Sequence, residues 1–372
     1  MTRVIRELDW CRLALAGACT RRDEQYSAQI IQSLSALDIE CFSRFLVEEG
    51  LGPIWYDFIC SQNSSELHNF FQNRGGFSLI KQSRLAAAGL YQAQFSALQR
   101  IDKVFSARGI LYAVMKGALI RELAYKDPAV RSSCDIDILV THDQRREAAS
   151  VLVDEGFAMH PNSDNLSHEA SFVRGPVEID LHWDILRPGR TPKDFATTLL
   201  QSRQRLSEFW GLQDVNAAYL MLVHPAFAKH VCSPSMGLNR VADFMLWLRI
   251  RSIDWNAVLE LLERSGLTTA AWVQLKWFSH ILKPSSLPIP DWIEGRLQPG
   301  PRRTRYLQYW LMNDLPSRWS HIPGTVQIGF TMALHDRPSD ALRAVRGLIA
   351  ARRAQASDIK SQFSALIPRS DR

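Results

Sequence analysis

The stretch Cys134-Asp135-Ile136-Asp137-Ile138-Leu139-Val140 restricts the fold more than any other part of the sequence. Polar and apolar residues alternate and then give way to an apolar end, which is the pattern of a strand with one functional face. Side chains two apart share a face, so Asp135 and Asp137 point one way while Ile136 and Ile138 point the other. Two neighbouring carboxylates repel each other, and a folded chain keeps them together where a cation neutralises them. Hard oxygen donors at this spacing suit Mg²⁺ or Mn²⁺, so the strand predicts a metal.

The surrounding texture supports the same chemistry. Upstream, Ile110-Leu111-Tyr112-Ala113-Val114-Met115 reads as a strand that stops at Lys116-Gly117, with a helix from Ala118 to Tyr125 and a break at Asp127-Pro128. Downstream, Asp143 is expected to cap a helix running to Asp154, with Gly156 as its left-handed end. Glu169–Arg174 and Val177–Trp183 then fit a hairpin turned at Gly175-Pro176. Its second arm puts Glu178, Asp180 and His182 on one face and Ile179, Leu181 and Trp183 on the other. Three carboxylates from two strands are what two-metal phosphoryl transfer needs. Gly117 lets backbone amides approach phosphate oxygens, the following helix presents free N–H groups, and Lys116 adds a full charge. Arg131 and Ser133 are further candidates for the same anion.

Outside this core both flanks read as helix. Residues 1–106 end in a helix with Tyr91, Phe95, Leu98, Ile101 and Phe105 on one face. Helical pattern returns from Pro192, with Asp214 as a candidate cap, and Pro284, Pro288, Pro290, Pro299 and Pro301 mark a loop-rich passage. The expected fold is therefore α+β: a small mixed-sheet core at 107–190, a helical region at 1–106, a helical substrate or acceptor region at 191–290, and a basic helical tail at 291–372. With 372 residues, 46% apolar and 22% charged, the chain has the balance of a folded, soluble protein. No apolar run approaches the roughly 20 residues of a membrane span. Thr2-Arg3-Val4-Ile5-Arg6-Glu7 does not read as a secretory signal, so a cytoplasmic location is expected. The 6 cysteines are scattered without Cys-x-x-Cys pairs, which argues against zinc and disulfides and for buried apolar thiols. Net charge is +6, and residues 301–372 hold 12 Lys and Arg against 5 Asp and Glu, so the basicity belongs to the tail. A core without that surplus gives no sign of a specific nucleic-acid partner.

These residues resemble the nucleotidyltransferase superfamily typified by DNA polymerase beta, and more closely its bacterial branch of uncharacterised nucleotidyltransferases. That branch shows a Lys-Gly turn, an Arg shortly before Asp-Ile-Asp-Leu-Leu-Val, and a later Asp-Leu-His-Trp. Here they stand as Lys116-Gly117-Ala118, Arg131, Asp135-Ile136-Asp137-Ile138-Leu139-Val140 and Asp180-Leu181-His182-Trp183. The similarity continues through His224, His230, Arg240-Val241-Ala242-Asp243 and Asp254-Trp255, over about residues 110–260. Ala118 departs from the Ser or Gly usual in the wider superfamily, and Pro225 is expected to disrupt the helix at His224, which is given no role.

The resemblance implies transfer of a nucleoside monophosphate from an NTP such as ATP to a hydroxyl or phosphate, with release of pyrophosphate. Asp135, Asp137 and Asp180 would be the catalytic and metal-binding carboxylates for Mg²⁺ or Mn²⁺, and Lys116, Gly117, Arg131 and Ser133 the nucleotide contacts. The acceptor, a small molecule, peptide natural product or glycan precursor, is expected in a cleft between the core and the helices after Pro192. Trp183, Asp184 and Arg187 would form its edge, with His182, Arg240 and Asp243 on the acceptor side. One alternative is glycosyl transfer from a nucleotide-sugar by an Asp-x-Asp enzyme, which needs alternating strands and helices ahead of the motif, where residues 1–106 read as helix. Another is a non-catalytic nucleotide-binding module, against which the retention of three carboxylates argues.

Overall fold

The structure is a computed structural model that describes residues 2–19, 24–61, 65–159, 168–227, 237–282, 287–312 and 324–355. Helices come first: α1 (Thr2–Cys19), α2 (Glu24–Leu34), α3 (Ile39–Glu48), α4 (Gly52–Ser61), α5 (Ser65–Asn73) and α6 (Phe77–Ala107). The core follows as β1 (Tyr112–Met115), α7 (Lys116–Ala124), β2 (Asp135–Val140), α8 (Arg145–Asp154), β3 (Ala158–Met159), β4 (Glu169–Arg174) and β5 (Val177–His182). After it come α9 (Phe195–Gln201), β6 (Arg203–Arg205), β7 (Trp210–Leu212), α10 (Asp214–Phe227), α11 (Leu238–Ile250), α12 (Trp255–Ser265) and α13 (Thr268–Leu282). The tail holds α14 (Asp291–Leu297), α15 (Pro301–Met312), α16 (Gly324–Ala333) and α17 (Pro338–Gln355).

The class is α+β: a mixed seven-stranded sheet, ordered β3-β4-β5-β2-β1-β7-β6, with helices from both ends of the chain around it. The aspartate strand β2 is central, antiparallel to β1 and parallel to β5. Its apolar residues Ile136, Ile138, Leu139 and Val140 have 0% exposure, as a strand covered on both faces requires. The hairpin β4–β5 forms as the sequence reads, turning at Gly175, whose φ of 57° suits a residue without Cβ. Strands β6 and β7 lie in the stretch after Pro192 that reads as helix. Each has three residues, too few to show a period, and they extend the β1 edge through the parallel pair β1–β7.

Helix α6 turns Leu98, Ile101 and Phe105 into the core and ends at Gly109 (φ 66°), where the Ile110 N–H returns to the Phe105 carbonyl at 2.9 Å. It packs with α8 and β5. Asp143 does not cap α8. The residue before that helix is Gln144, whose side-chain oxygen accepts from Leu111 N at 2.9 Å and so anchors the approach to β1. Two of the prolines expected in loops instead start helices: Pro290 precedes α14 and Pro301 opens α15, positions where a missing N–H costs nothing.

The N-terminal helices reach the cleft-bearing half of the molecule. Helix α1 packs on α11 and α13, and Arg12 Nε donates to the Ile281 carbonyl at 3.0 Å. Glu49 Oε2 accepts from the Gly237 and Leu238 amides, both at 3.1 Å, and so caps α11 from outside. The cysteines correct their reading: Cys11 is buried, but Cys41, Cys60 and Cys134 are exposed, and none of the four is in a disulfide. Cys232 and His230 lie outside the described residues. Among the described residues, no helix is long and apolar enough to cross a membrane.

Candidate active site

Strand register gathers the acids. The parallel pair β2–β5 sets Asp137 opposite Asp180 and Leu139 opposite His182, and the hairpin sets Glu169 opposite His182 and Ser171 opposite Asp180. Paired residues share a sheet face. Asp137 is buried at their centre, and its Oδ1 accepts from Lys116 Nζ at 2.6 Å and lies 2.8 Å from His182 Nε2. Ser171 Oγ donates to Asp180 Oδ1 at 2.6 Å. His182 Nδ1 lies 3.1 Å from Glu169 Oε2 but without hydrogen-bond geometry. Asp137, Asp180 and His182 each offer a ligand atom within 4.8 Å of the others, and so do His168, Glu169 and His182. Asp135 is in neither group, yet it lines the same cleft.

The cluster is short of positive charge. Burial, then Asp137 and Asp180, push the Asp135 carboxyl up to about 6, against the pull of Lys116. Burial also works against the Asp137 carboxylate, but Lys116 and His182 outweigh it and hold the group well below the usual carboxylate range. Glu169 is raised by burial despite the nearby His182 and Lys116. One ammonium thus balances one carboxylate, while a second stays partly protonated near neutral pH and a buried imidazole nitrogen lacks a hydrogen bond. Carboxylate oxygens and an imidazole fit a divalent cation, and the imidazole widens the choice from Mg²⁺ toward a first-row ion such as Mn²⁺.

The turn before α7 works differently from its expected form. Lys116, not Gly117, takes the left-handed backbone, at φ 55°, a conformation a non-glycine residue holds only where its surroundings enforce it. Gly117 is needed for space: a Cβ there would lie 2.8 Å from Ser133 Oγ and 3.1 Å from Arg131 Nη1. Lys116 reaches Asp137 and stands 3.3 Å from His182 Nε2. Lys116, Gly117, Ser133 and Asp137 line a cleft of about 570 Å³, walled on its far side by residues of α10 and α11. The family description "Uncharacterised nucleotidyltransferase" matches residues 35–283, the whole stretch from α3 to α13. The chain belongs to that family. No curated protein matches it.

As a nucleotidyltransferase, and hence a transferase enzyme, the chain places its expected site residues unevenly. Lys116, Gly117, Ser133, Asp135, Asp137 and Asp180 all line the cleft. Arg131, expected at the phosphates, gives its charge to Asp243, with Nη2–Oδ2 at 2.7 Å and Nε–Oδ1 at 3.1 Å. Tyr125 Oη donates to the same carboxylate at 2.7 Å. Both members of that pair are buried and both line the cleft, so Asp243, expected on the acceptor side, ties the loop before β2 to helix α11 at the cleft wall. Arg240, one turn earlier, lines the cleft, and its guanidinium has no hydrogen-bond or ion-pair partner among the described residues. His182, also expected on the acceptor side, is instead fully buried among the carboxylates.

Pro225 does not end α10, which runs through it to Phe227. His224 therefore does line the cleft, its imidazole held well below its ordinary value by burial and then by Lys116. Of the expected edge residues only Arg187 reaches the cleft. Asp184 turns inward, accepting from Ile185 N at 2.8 Å and Thr191 Oγ1 at 3.1 Å. His168, Glu169 and Ser171 are site residues the sequence reading passed over. The hairpin register was the signal for two of them, since a two-residue turn at Gly175-Pro176 already pairs Glu169 with His182 and Ser171 with Asp180.

Proposed function

We propose that this nucleotidyltransferase moves a nucleoside monophosphate from an NTP to a hydroxyl or phosphate of its acceptor and depends on a divalent cation. The observation that carries the reading is the meeting of Asp135, Asp137 and Asp180 with Lys116 in one cleft at the start of α7. In the reaction an acceptor oxygen bonds to the α-phosphorus, the bond from that phosphorus to the bridging oxygen breaks, and pyrophosphate leaves. The proton of an acceptor hydroxyl passes to a carboxylate of the cluster.

Asp137, Asp180 and His182 would hold the cation, with Asp135 beside them. When bound, such a cation activates the attacking oxygen and offsets charge on the departing pyrophosphate. Gly117 and the first amides of α7 suit phosphate oxygens, with Ser133 next to them, and Arg240 is an unpaired cation for the same chain of phosphates. ATP is the first donor to try. The reading gives the enzyme a cytoplasmic setting and, as acceptor, a small molecule, peptide natural product or polysaccharide precursor.

The nucleotide-sugar alternative needs strands ahead of the aspartates. Among the described residues only helices precede β1, which favours nucleotidyl transfer. Equilibrium binding of a non-hydrolysable ATP analogue with and without Mn²⁺ tests the proposal. Affinity that rises at least tenfold with Mn²⁺ supports it, and metal-independent binding or none counts against it.

A further inference from the structure

Arg190 is a buried cation that the donor site leaves unused. Its residue exposure is 7%, it lines the cleft, and its Nε has no hydrogen-bond partner. Among the described residues its guanidinium makes neither a hydrogen bond nor an ion pair. The charge that acts on it is another cation, Arg187, which also lines the cleft and is exposed. Burial and then Arg187 bring Arg190 down to about 10. Its guanidinium carbon lies 4.8 Å from the centre of the Phe227 ring, which holds the group in place without balancing it. A buried charge with no counter-ion is unfavourable and persists where a ligand supplies one.

The loop carrying both arginines is firmly built. Asp184 closes it through Ile185 N and Thr191 Oγ1. Helix α17 presses on its other side, where Arg343 Nε donates to the Gly189 carbonyl at 3.1 Å. Gly189 (φ 81°) and Gly347 allow this approach, since a Cβ on the first would lie 2.4 Å from the Arg343 carbonyl oxygen and on the second 2.2 Å from that of Pro188. The loop follows β5, on a different segment from the donor turn at the start of α7: Arg187 and Arg190 act together with Lys116 on His168, beside β4, whereas Arg240 acts on Arg131, Asp243, Asp135 and Asp137 near Gly117.

We infer that Arg190, with Arg187 at the rim, is a recognition site for an oxyanion, phosphoryl or carboxylate, carried by the acceptor. The assignment of that anion to the acceptor rests on the nucleotidyl-transfer reading, which gives the Gly117 side to the donor. The full chain is titrated with inorganic phosphate and, in parallel, with acetate, following Tm, with and without saturating ATP analogue and Mn²⁺. Arg190→Met keeps a stem to pack on Phe227 and removes an unpaired charge, so its Tm without anion should equal or exceed that of the wild type. Arg187→Gln is the milder second variant.

The expected result is a dose-dependent rise in wild-type Tm that persists with the analogue bound. The apparent Kd should weaken about tenfold in Arg190→Met and severalfold in Arg187→Gln. A stronger response to phosphate than to acetate marks a phosphoryl group, and the reverse a carboxylate. No rise in the wild type, or a full rise in Arg190→Met, overturns the site. Loss of the rise once the analogue binds overturns the acceptor assignment, because Arg190 would then serve the donor. If the analogue fails to bind but the phosphate effect still needs Arg190, the anion site stands and the donor reading falls.

Discussion

Asp137 shows what one side chain does here. Its Oδ1 takes both Lys116 and His182, so removing its charge leaves the ammonium to Asp135 and Glu169, whose charges also act on it. Asp137→Asn keeps the acceptor oxygen and should fold, while turnover drops by about a thousandfold, the upper end of what one stabilising group contributes. Far-ultraviolet circular dichroism and initial rates check the two halves of that statement. His335 makes a different case. It is 1% exposed, packs on Phe227 at 5.3 Å between ring centres, and has no hydrogen-bond partner on either ring nitrogen. Burial, then Arg190 and Arg343, hold it down to about 4. The unfolded chain takes up this proton first, so the stabilising contribution is full above about pH 6.5 and is lost as pH falls toward 4. The window corresponds to on the order of 3 kcal/mol at most. His335→Phe should lose less stability between pH 7.5 and 4.5 than the wild type, read from urea midpoints, and an unchanged difference would show that the ring is not the sensor.

At the level of elements, the pair Arg131–Asp243 joins the loop before β2 to α11 across a separation of 112 residues. Breaking a buried pair leaves an unbalanced charge, so Asp243→Asn should cost about 3–5 kcal/mol and lower Tm. Arg240→Gln should leave Tm in place and raise KM for the NTP severalfold. Thermal melts beside kinetics separate the two, and a large Tm loss in Arg240→Gln would make that residue structural. The same elements show what the sequence discloses. Asp135 and Asp137 announce a strand because four alternating residues run into an apolar end, and Gly175-Pro176 announces a hairpin. Asp254, which the sequence marks only as part of the family resemblance, caps α12 through the Asn256 and Ala257 amides. The direction of Lys116 and the partner of Arg131 were not legible, because both are settled by residues far along the chain. Strands β6 and β7 were too short to register, and a proline inside the last turn of α10 looked like a break that the helix does not make.

Across the whole molecule, both helical flanks support the cleft. Glu49, from the N-terminal helices, caps the helix that carries Arg240 and Asp243, and α17 from the tail braces the loop that carries Arg190. Burial raises the Glu49 carboxyl, while the Gly237 and Leu238 amides favour its charged form. Glu49→Ala would leave two amides without their acceptor and should lower stability by roughly 1–3 kcal/mol, whereas Glu49→Gln retains most of it. Equal melting of the two variants would mean that the cap contributes nothing. In this reading the three-carboxylate cleft transfers a nucleotide with the help of a divalent cation. Its most direct test is incubation of wild type and Asp137→Asn with each labelled NTP, Mg²⁺ or Mn²⁺, and an extract of the protein's own cell, followed by mass identification of what gains label. The expected result is a product heavier by one nucleoside monophosphate, with pyrophosphate released, only with metal and only from the wild type. Equal labelling by Asp137→Asn, or labelling undiminished by EDTA, would contradict it.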